Sequence, residues 1–139
     1  MEYYLEYILI AALVVCILYN LLPSKKEGYN SEKKHRFVNY NASWCYFSKQ
    51  LDWLDDEKTK PGAWTQLKED DQVKNLGVEI VDLKCDSVEN EENEEICKTQ
   101  GIEAYPTIKL HKQGGETVEY NGDRSLDSFK EFLTTQLSN

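Results

Sequence analysis

The sequence predicts an α/β domain with the element order β-α-β-α-β-β-α, preceded by one N-terminal transmembrane helix. Three observations predict it: short alternating segments, apolar residues at helical spacing between them, and an almost continuous apolar run near the start. The 139 residues are enough for one small domain. We therefore divide the chain into an anchor over residues 1–23, a linker over 24–35 and a folded domain over 36–139.

The order of strands and helices follows from local patterning. Alternating segments predict strands at 36–42, 78–83, 107–110 and 117–120. Helical spacing predicts a helix from 45 to 54 that is interrupted at 61–62 and resumes at 63–67, and further helices at 87–100 and 125–137. Because a helix joins the first two strands, they should be parallel, whereas the last two should form a hairpin.

The apolar run at residues 7–22 predicts the membrane anchor. A bilayer core needs about 20 apolar residues, and membrane contact through residues 5–22 approaches that length. A cleaved signal peptide is the alternative, but it would need basic residues before the run and small residues after it. In this chain the acidic residues Glu2 and Glu6 lie near the start of the apolar run, and Pro, Ser, Lys and Lys follow it at 23–26. Neither flank is typical of a signal peptide, so an uncleaved anchor is favoured.

The overall charge excludes one large class of partners. The formal net charge is −9 with a pI near 4.7, and nucleic-acid binding requires clustered Lys and Arg. The two histidines, His35 and His111, show no ligand spacing with the cysteines, so no metal is predicted. We also expect no cofactor and no nucleic-acid partner.

The segment 44–48, Trp-Cys-Tyr-Phe-Ser, follows the first predicted strand directly. Cys45 should lie at a helix N-terminus, where the helix dipole and free N–H groups favour the nucleophilic thiolate. Ser48, one turn later, is positioned to donate a hydrogen bond to the sulfur. A site with one cysteine can attack a disulfide but cannot resolve the product alone. The alternatives are a small buried Cys45 in an inactive site and a neutral surface Ser48.

Two corners of the predicted fold together resemble a known family. With Cys45 at the first strand-to-helix turn and Tyr105-Pro106 before the third strand, residues 37–137 resemble the thioredoxin fold. Segments 81–86, 96–110 and 120–125 are more similar to protein disulfide isomerase domains than to bacterial thioredoxins. Segment 44–48 is similar to the endoplasmic-reticulum thiol-retention member of that family, whose site is also Cys-x-Phe-Ser.

This resemblance implies further site residues. Pro106 is expected to be cis and to pack against Cys45, and the backbone before it to pair with a substrate strand. The predicted substrate-binding residues are Trp44, Tyr46, Tyr105 and Pro106. Cys85 and Cys97 are expected to form a disulfide, as cysteines at similar places do in some isomerase domains; two free buried thiols are the alternative.

The sequence also departs from the family. Little room precedes residue 37 for the family's first strand and helix, so a four-stranded version lacking them is expected. The buried acid six residues before the nucleophile is Asn39 here, and that acid serves a resolving cysteine that this site lacks. Asn41 begins a glycosylation sequon at the end of a central strand, beside the nucleophile, so we interpret it as unused.

The predicted function is that of a membrane-anchored monothiol thiol–disulfide oxidoreductase or isomerase. It would form mixed disulfides through Cys45 with cysteine-containing client proteins or glutathione. One alternative is a non-catalytic client-binding module. Another is a monothiol glutaredoxin, which Tyr46 and Ala104-Tyr105 disfavour, because those proteins have Gly after the cysteine and Thr-Val before the cis proline.

Location is left open by the sequence. Five basic residues follow the apolar run, and the positive-inside rule would make the domain cytoplasmic. A disulfide and the family resemblance favour the secretory lumen instead. Resemblance to small membrane-associated thioredoxin-like proteins of large DNA viruses would reconcile the two, with the protein in a host membrane or a virion.

Overall fold

The computed structural model describes residues 2–21, 34–88 and 90–138. The chain forms two compact units, Met1–Asn30 and Ser31–Asn139. The predicted linker at 24–35 lies almost wholly outside the described residues, and so does the position of the family's additional first strand and helix.

The apolar run forms helix α1, Glu2–Leu21. Among the residues that the structure describes, no helix combines the length and the apolar character needed to cross a membrane. The predicted transmembrane anchor over 1–23, with membrane contact through 5–22, is therefore not supported.

The second unit is built on a four-stranded mixed sheet. Its strands are β1 (His35–Asn41), β2 (Val78–Lys84), β3 (Thr107–His111) and β4 (Thr117–Glu119). The order across the sheet is β2-β1-β3-β4. β1 is parallel to β2 and antiparallel to β3, and β3 and β4 form an antiparallel hairpin. The α/β class, the parallel first pair and the final hairpin are confirmed.

The described part of this unit also contains five helices: α2 (Tyr46–Asp52), α3 (Ala63–Glu69), α4 (Asp71–Asn75), α5 (Glu91–Thr99) and α6 (Leu126–Leu137). The predicted continuation of α2 to residue 54 is wrong, because Trp53 is extended and pairs with Pro61. The helix predicted from residue 87 begins only at Glu91. The last helix is capped by Ser125, whose hydroxyl accepts a hydrogen bond from the Ser128 N–H.

Two hydrophobic clusters form because successive side chains of β1 point to opposite faces of the sheet. Phe37 packs against Trp64 of α3 and Phe129 of α6, with ring centroids 5.2 and 5.9 Å away. Val38 and Tyr40 belong to a second cluster with Leu83 and the two cysteines Cys85 and Cys97. The central strand is thereby held rigidly up to its carboxyl end, where the segment 44–48 begins.

Candidate active site at Cys45

A tight corner carries Cys45 from β1 into α2. The Cys45 N–H donates to the Ala42 carbonyl at 3.1 Å, and the Cys45 carbonyl accepts from the Lys49 N–H at 3.1 Å. Cys45 is the N-cap residue of α2 and has an extended backbone, φ −78° and ψ 119°. The first N–H groups of α2 therefore lie on the side of the sulfur, as the sequence predicted.

Asp86, just beyond the end of β2, braces this corner. Its carboxylate accepts the Ser43 N–H at 3.0 Å and also the Ser43 hydroxyl. These hydrogen bonds, the one from the side chain first, lower the pKa of Asp86. The neighbouring Cys85 N–H donates to the Asn41 carbonyl at 2.8 Å. Sequence reasoning missed Asp86; its only signal was a place at the carboxyl end of the strand beside β1.

The Cys45 side chain is buried, with 8% of its surface exposed. Its thiol donates to the Tyr105 carbonyl at 3.5 Å. The Tyr105–Pro106 peptide bond is cis, as the resemblance implied. The fold therefore brings Tyr105 and Pro106 to Cys45, although 60 residues separate Cys45 from Tyr105.

The surroundings of Cys45 favour its thiolate. Burial by itself raises the pKa of the Cys45 thiol. Hydrogen bonds from the backbone and hydroxyl of Ser48 and from the backbone of Phe47 oppose this effect, and so does the positive charge of Arg124. The pKa consequently lies below its ordinary value, and a larger thiolate fraction means faster attack near neutral pH.

Ser48 is a buried residue of α2 and not a surface serine. Its side chain is 4% exposed. Within the part of the chain that the structure describes, its hydroxyl has no hydrogen-bonding partner, and Ser48 lowers the pKa of the Cys45 thiol. A buried hydroxyl costs free energy unless it is paired, so Ser48 is placed to donate to Cys45 once the sulfur carries a negative charge.

Exposed aromatic side chains flank Cys45. Trp44, Tyr46 and Phe47 are 69%, 65% and 58% exposed. The Trp44 ring meets the Tyr105 ring edge-on, with centroids 5.8 Å apart, so two of the predicted substrate-binding residues are in contact. Phe47 was not predicted as a site residue, although it lies within the segment 44–48. Exposed aromatic groups of this extent are typical of binding surfaces.

A polar cluster lies behind the corner, on β1, β2 and the following helices. Asn39 is fully buried, and its amide donates to the Asp82 carboxylate at 3.5 Å. Lys68 forms an ion pair with Asp82 and lies 3.8 Å from the Asp52 carboxylate. Burial and the charge of Asp82 raise the pKa of Asp52. Asn39 cannot exchange a proton, so the position that holds a buried acid in related domains has no acid–base group in this chain.

Cys85 and Cys97 form a disulfide that joins the end of β2 to α5. The alternative of two free buried thiols is therefore wrong. Cys45 is free and buried.

The sequon residue Asn41 is also buried, and its side-chain amide donates to the Asn39 carbonyl at 3.0 Å. Among the described residues no group of His, Cys, Asp and Glu side chains could hold a metal ion.

The family model described as "Thioredoxin" matches residues 24–135. The chain belongs to the thioredoxin family. Curated thioredoxin relatives include the protein disulfide-isomerase of Oryctolagus cuniculus, 36% identical over 104 residues, which cover 73% of this chain and 17% of the relative. The thioredoxin domain-containing protein 5 homolog of Drosophila melanogaster is 31% identical over 97 residues, which cover 70% of this chain and 20% of that relative. The chain thus spans about a fifth of the length of these relatives.

Solved structures show the same thioredoxin fold. Human ERp44 superposes with a TM-score of 0.57 at 23% identity, covering 76% of this chain and 28% of that one. The first two thioredoxin domains of Naumovozyma dairenensis Eps1p give a TM-score of 0.58 at 20% identity, and the match covers 76% of this chain and 36% of that structure. At these identities the likeness concerns the fold alone.

Proposed function

We propose that this thioredoxin-family domain is a monothiol thiol–disulfide oxidoreductase or isomerase that acts through mixed disulfides on Cys45. The observation that carries the proposal is the setting of the Cys45 sulfur. It lies at a helix N-terminus with a lowered pKa, beside cis-Pro106, and its neighbour one turn later is a buried serine.

The first step is the attack of the Cys45 thiolate on one sulfur of a substrate disulfide. A bond forms between Cys45 and that sulfur, the substrate S–S bond breaks, and the other sulfur leaves as a thiolate. The Cys45 sulfur is oxidised and the leaving sulfur is reduced, so the substrate itself is the oxidant. Hydrogen bonds from α2 hold the attacking thiolate in place before the reaction.

The second step needs a thiol from outside the site. The Ser48 hydroxyl cannot form a disulfide, so the mixed disulfide waits for a thiol of the client or for a small thiol such as glutathione. That thiolate attacks the partner's sulfur and releases Cys45 as a thiolate. This sequence allows isomerisation, reduction of mixed disulfides or retention of a client.

The aromatic surface and the cis-proline corner support binding of a polypeptide partner. Trp44, Tyr46 and Tyr105 offer apolar contact area, and the backbone before Pro106 lies beside the sulfur. The Cys85–Cys97 disulfide favours an oxidising compartment such as the secretory lumen over the cytoplasm. Membrane attachment is not part of the proposed chemistry.

Trapping with oxidised glutathione tests the mechanism. In a Cys16→Ala background, which removes the other thiol outside the disulfide, the protein should gain one glutathione on Cys45, detected by intact mass and peptide mapping, and the further change Cys45→Ala should abolish the adduct. Ser48→Cys is the informative comparison, because a second thiol there should release the glutathione and leave an internal disulfide. A parent protein that forms no adduct over the pH range in which free thiols react would disprove the proposal.

A non-catalytic client-binding module is the second candidate. The exposed Trp44, Tyr46 and Phe47 side chains favour it, because they can hold a partner without chemistry. A denatured client that keeps one accessible disulfide separates the two functions, because that disulfide is the oxidant that a mixed disulfide with Cys45 requires. If Cys45→Ala captures it as well as the parent does, and the parent forms no mixed disulfide, the binding function is correct.

A further inference from the structure

One cation stands beside the nucleophile. Arg124, just before α6, places its guanidinium carbon 5.6 Å from the centre of the Phe47 ring. Its charge is among the influences that lower the pKa of Cys45. The Phe47 ring is neutral, but a negative charge resting on it would come within about 6 Å of the guanidinium, where unit charges still attract each other in water. An anion that approaches Cys45 over Phe47 therefore approaches Arg124 as well.

Arg124 lacks an acidic partner of its own. Within residues 2–21, 34–88 and 90–138 it makes no ion pair, although the chain has 25 acidic residues against 16 basic ones. The adjacent Asp123 carboxylate is engaged elsewhere, since it accepts the Ser125 N–H at 2.9 Å. The contact with Phe47 does not replace an ion pair, because an aromatic ring carries no net charge.

Two clefts meet at Arg124. One, of about 330 Å³, is lined by Phe47 and by apolar groups such as Leu51 and Leu126. The other has a volume of about 240 Å³, and Pro106 and Glu119 are among the residues that line it. A partner extending from Cys45 along either cleft passes the guanidinium. Glu119 would repel an acidic group in the second cleft, so the first cleft is the better place for one.

We propose that Arg124 is a specificity-determining residue that favours partners with a carboxylate next to the reacting sulfur. This inference rests on the proposed function. A guanidinium recognises a carboxylate through two parallel hydrogen bonds, which a lysine cannot reproduce. The carboxylate takes no part in the exchange of bonds; it holds the disulfide while the Cys45 thiolate attacks. Acidic client residues and the carboxylates of glutathione share this chemistry.

Small disulfides of different charge test the inference. The rate of attack by Cys45 is measured at low salt with anionic dithiodipropionate and with neutral bis(2-hydroxyethyl) disulfide. Rates are divided by the thiolate fraction, obtained for each protein from the pH profile of alkylation, so that the effect of Arg124 on the pKa is removed. In Arg124→Gln the anionic-to-neutral rate ratio should fall about threefold or more, the effect of unit charges about 6 Å apart in water.

Matched variants sharpen the result. Lys98→Gln makes the same change of charge on α5, where Lys98 pairs with Glu94, and should leave the ratio unchanged. Arg124→Lys keeps the charge and should lie between the parent and Arg124→Gln. An unchanged ratio in Arg124→Gln, or an equal fall in Lys98→Gln, overturns the selectivity. If neither disulfide reacts with the parent, the proposed function fails and the selectivity fails with it.

The source of the carboxylate is decided by two further substrates. One is oxidised glutathione, and the other is a pair of peptide disulfides with Glu or Gln next to the cysteine. A Glu-over-Gln preference that Arg124→Gln abolishes supports an acidic client. If Arg124→Gln reacts more slowly with oxidised glutathione but not with the Glu peptide, the carboxylate that Arg124 recognises belongs to a small thiol compound. No dependence on Arg124 in either set overturns the inference.

Discussion

Replacing Cys85 and Cys97 together by alanine removes the cross-link between β2 and α5. The two cysteines are 12 residues apart in the sequence. Loop-closure entropy for a loop of this length corresponds to about 3 kcal/mol at 25 °C. Both side chains are also buried, at 5% and 4% exposure, so that alanine loses some packing as well. We expect the double variant to be about 3 kcal/mol less stable than the oxidised parent.

Urea unfolding without reductant measures this difference. If the slope of the unfolding free energy against urea is unchanged, the loss is read from the shift of the midpoint. Adding reductant should bring the parent to the stability of the double variant and leave the variant unaffected. A double variant within about 0.5 kcal/mol of the oxidised parent, well below the loop-closure value, would refute the reasoning.

Three further predictions concern the site and the core. Alkylation of Cys45 by iodoacetamide should have a midpoint pH below that of an ordinary thiol, and Ser48→Ala should raise it, because a hydrogen bond to the thiolate is lost. Phe129→Ala should cost about 3–5 kcal/mol in urea unfolding, since Phe129 is fully buried, whereas Phe47→Ala at an exposed position should cost less than about 1 kcal/mol. The Asp86 carboxyl has a lowered pKa in the folded state, so its contribution to stability is present above the pKa of the unfolded chain and is lost as the pH falls through the folded value. The stability difference between the parent and Asp86→Asn should therefore shrink in acid.

Specific results would contradict these predictions. An unchanged alkylation midpoint in Ser48→Ala would mean that the hydroxyl does not act on the sulfur. Equal losses for Phe129→Ala and Phe47→Ala would mean that the aromatic cluster is not the core. If the stability difference between the parent and Asp86→Asn instead grew towards low pH, the ionised Asp86 carboxylate would not be the stabilising form.

Local patterning was sufficient for the strands and for the last helix of the folded domain, but not for the end of α2, the start of α5 or the existence of α4. The alternation in β1 and the spacing in α6 come from neighbours within a few residues, and both elements lie within one or two residues of their predicted bounds. The end of α2 was misplaced because Trp53 pairs with Pro61, a contact between separated residues that periodicity does not contain. The membrane prediction for residues 1–23 rested on the length of the apolar run and on the residues that flank it, and it is not supported.

Residues of the site that come from distant segments were harder to predict. The disulfide and the cis proline were expected only because the sequence resembles a family in which they occur. Asp86 and Arg124 were missed as site residues, since neither belongs to the segment around Cys45. Their contacts with Ser43 and Phe47 exist only after β2 and the approach to α6 have packed around the end of β1.

The sequence alone determined that a single thiol stands at the start of a helix, with serine one turn later. Those features depend on residue identity and local spacing. The tertiary structure decided that this thiol is buried yet has a lowered pKa. It also placed the thiol within hydrogen-bond distance of the Tyr105 carbonyl and under the influence of the positive charge of Arg124. A pKa sums burial, hydrogen bonds and charges from every element packed around the group, so only the folded chain defines it.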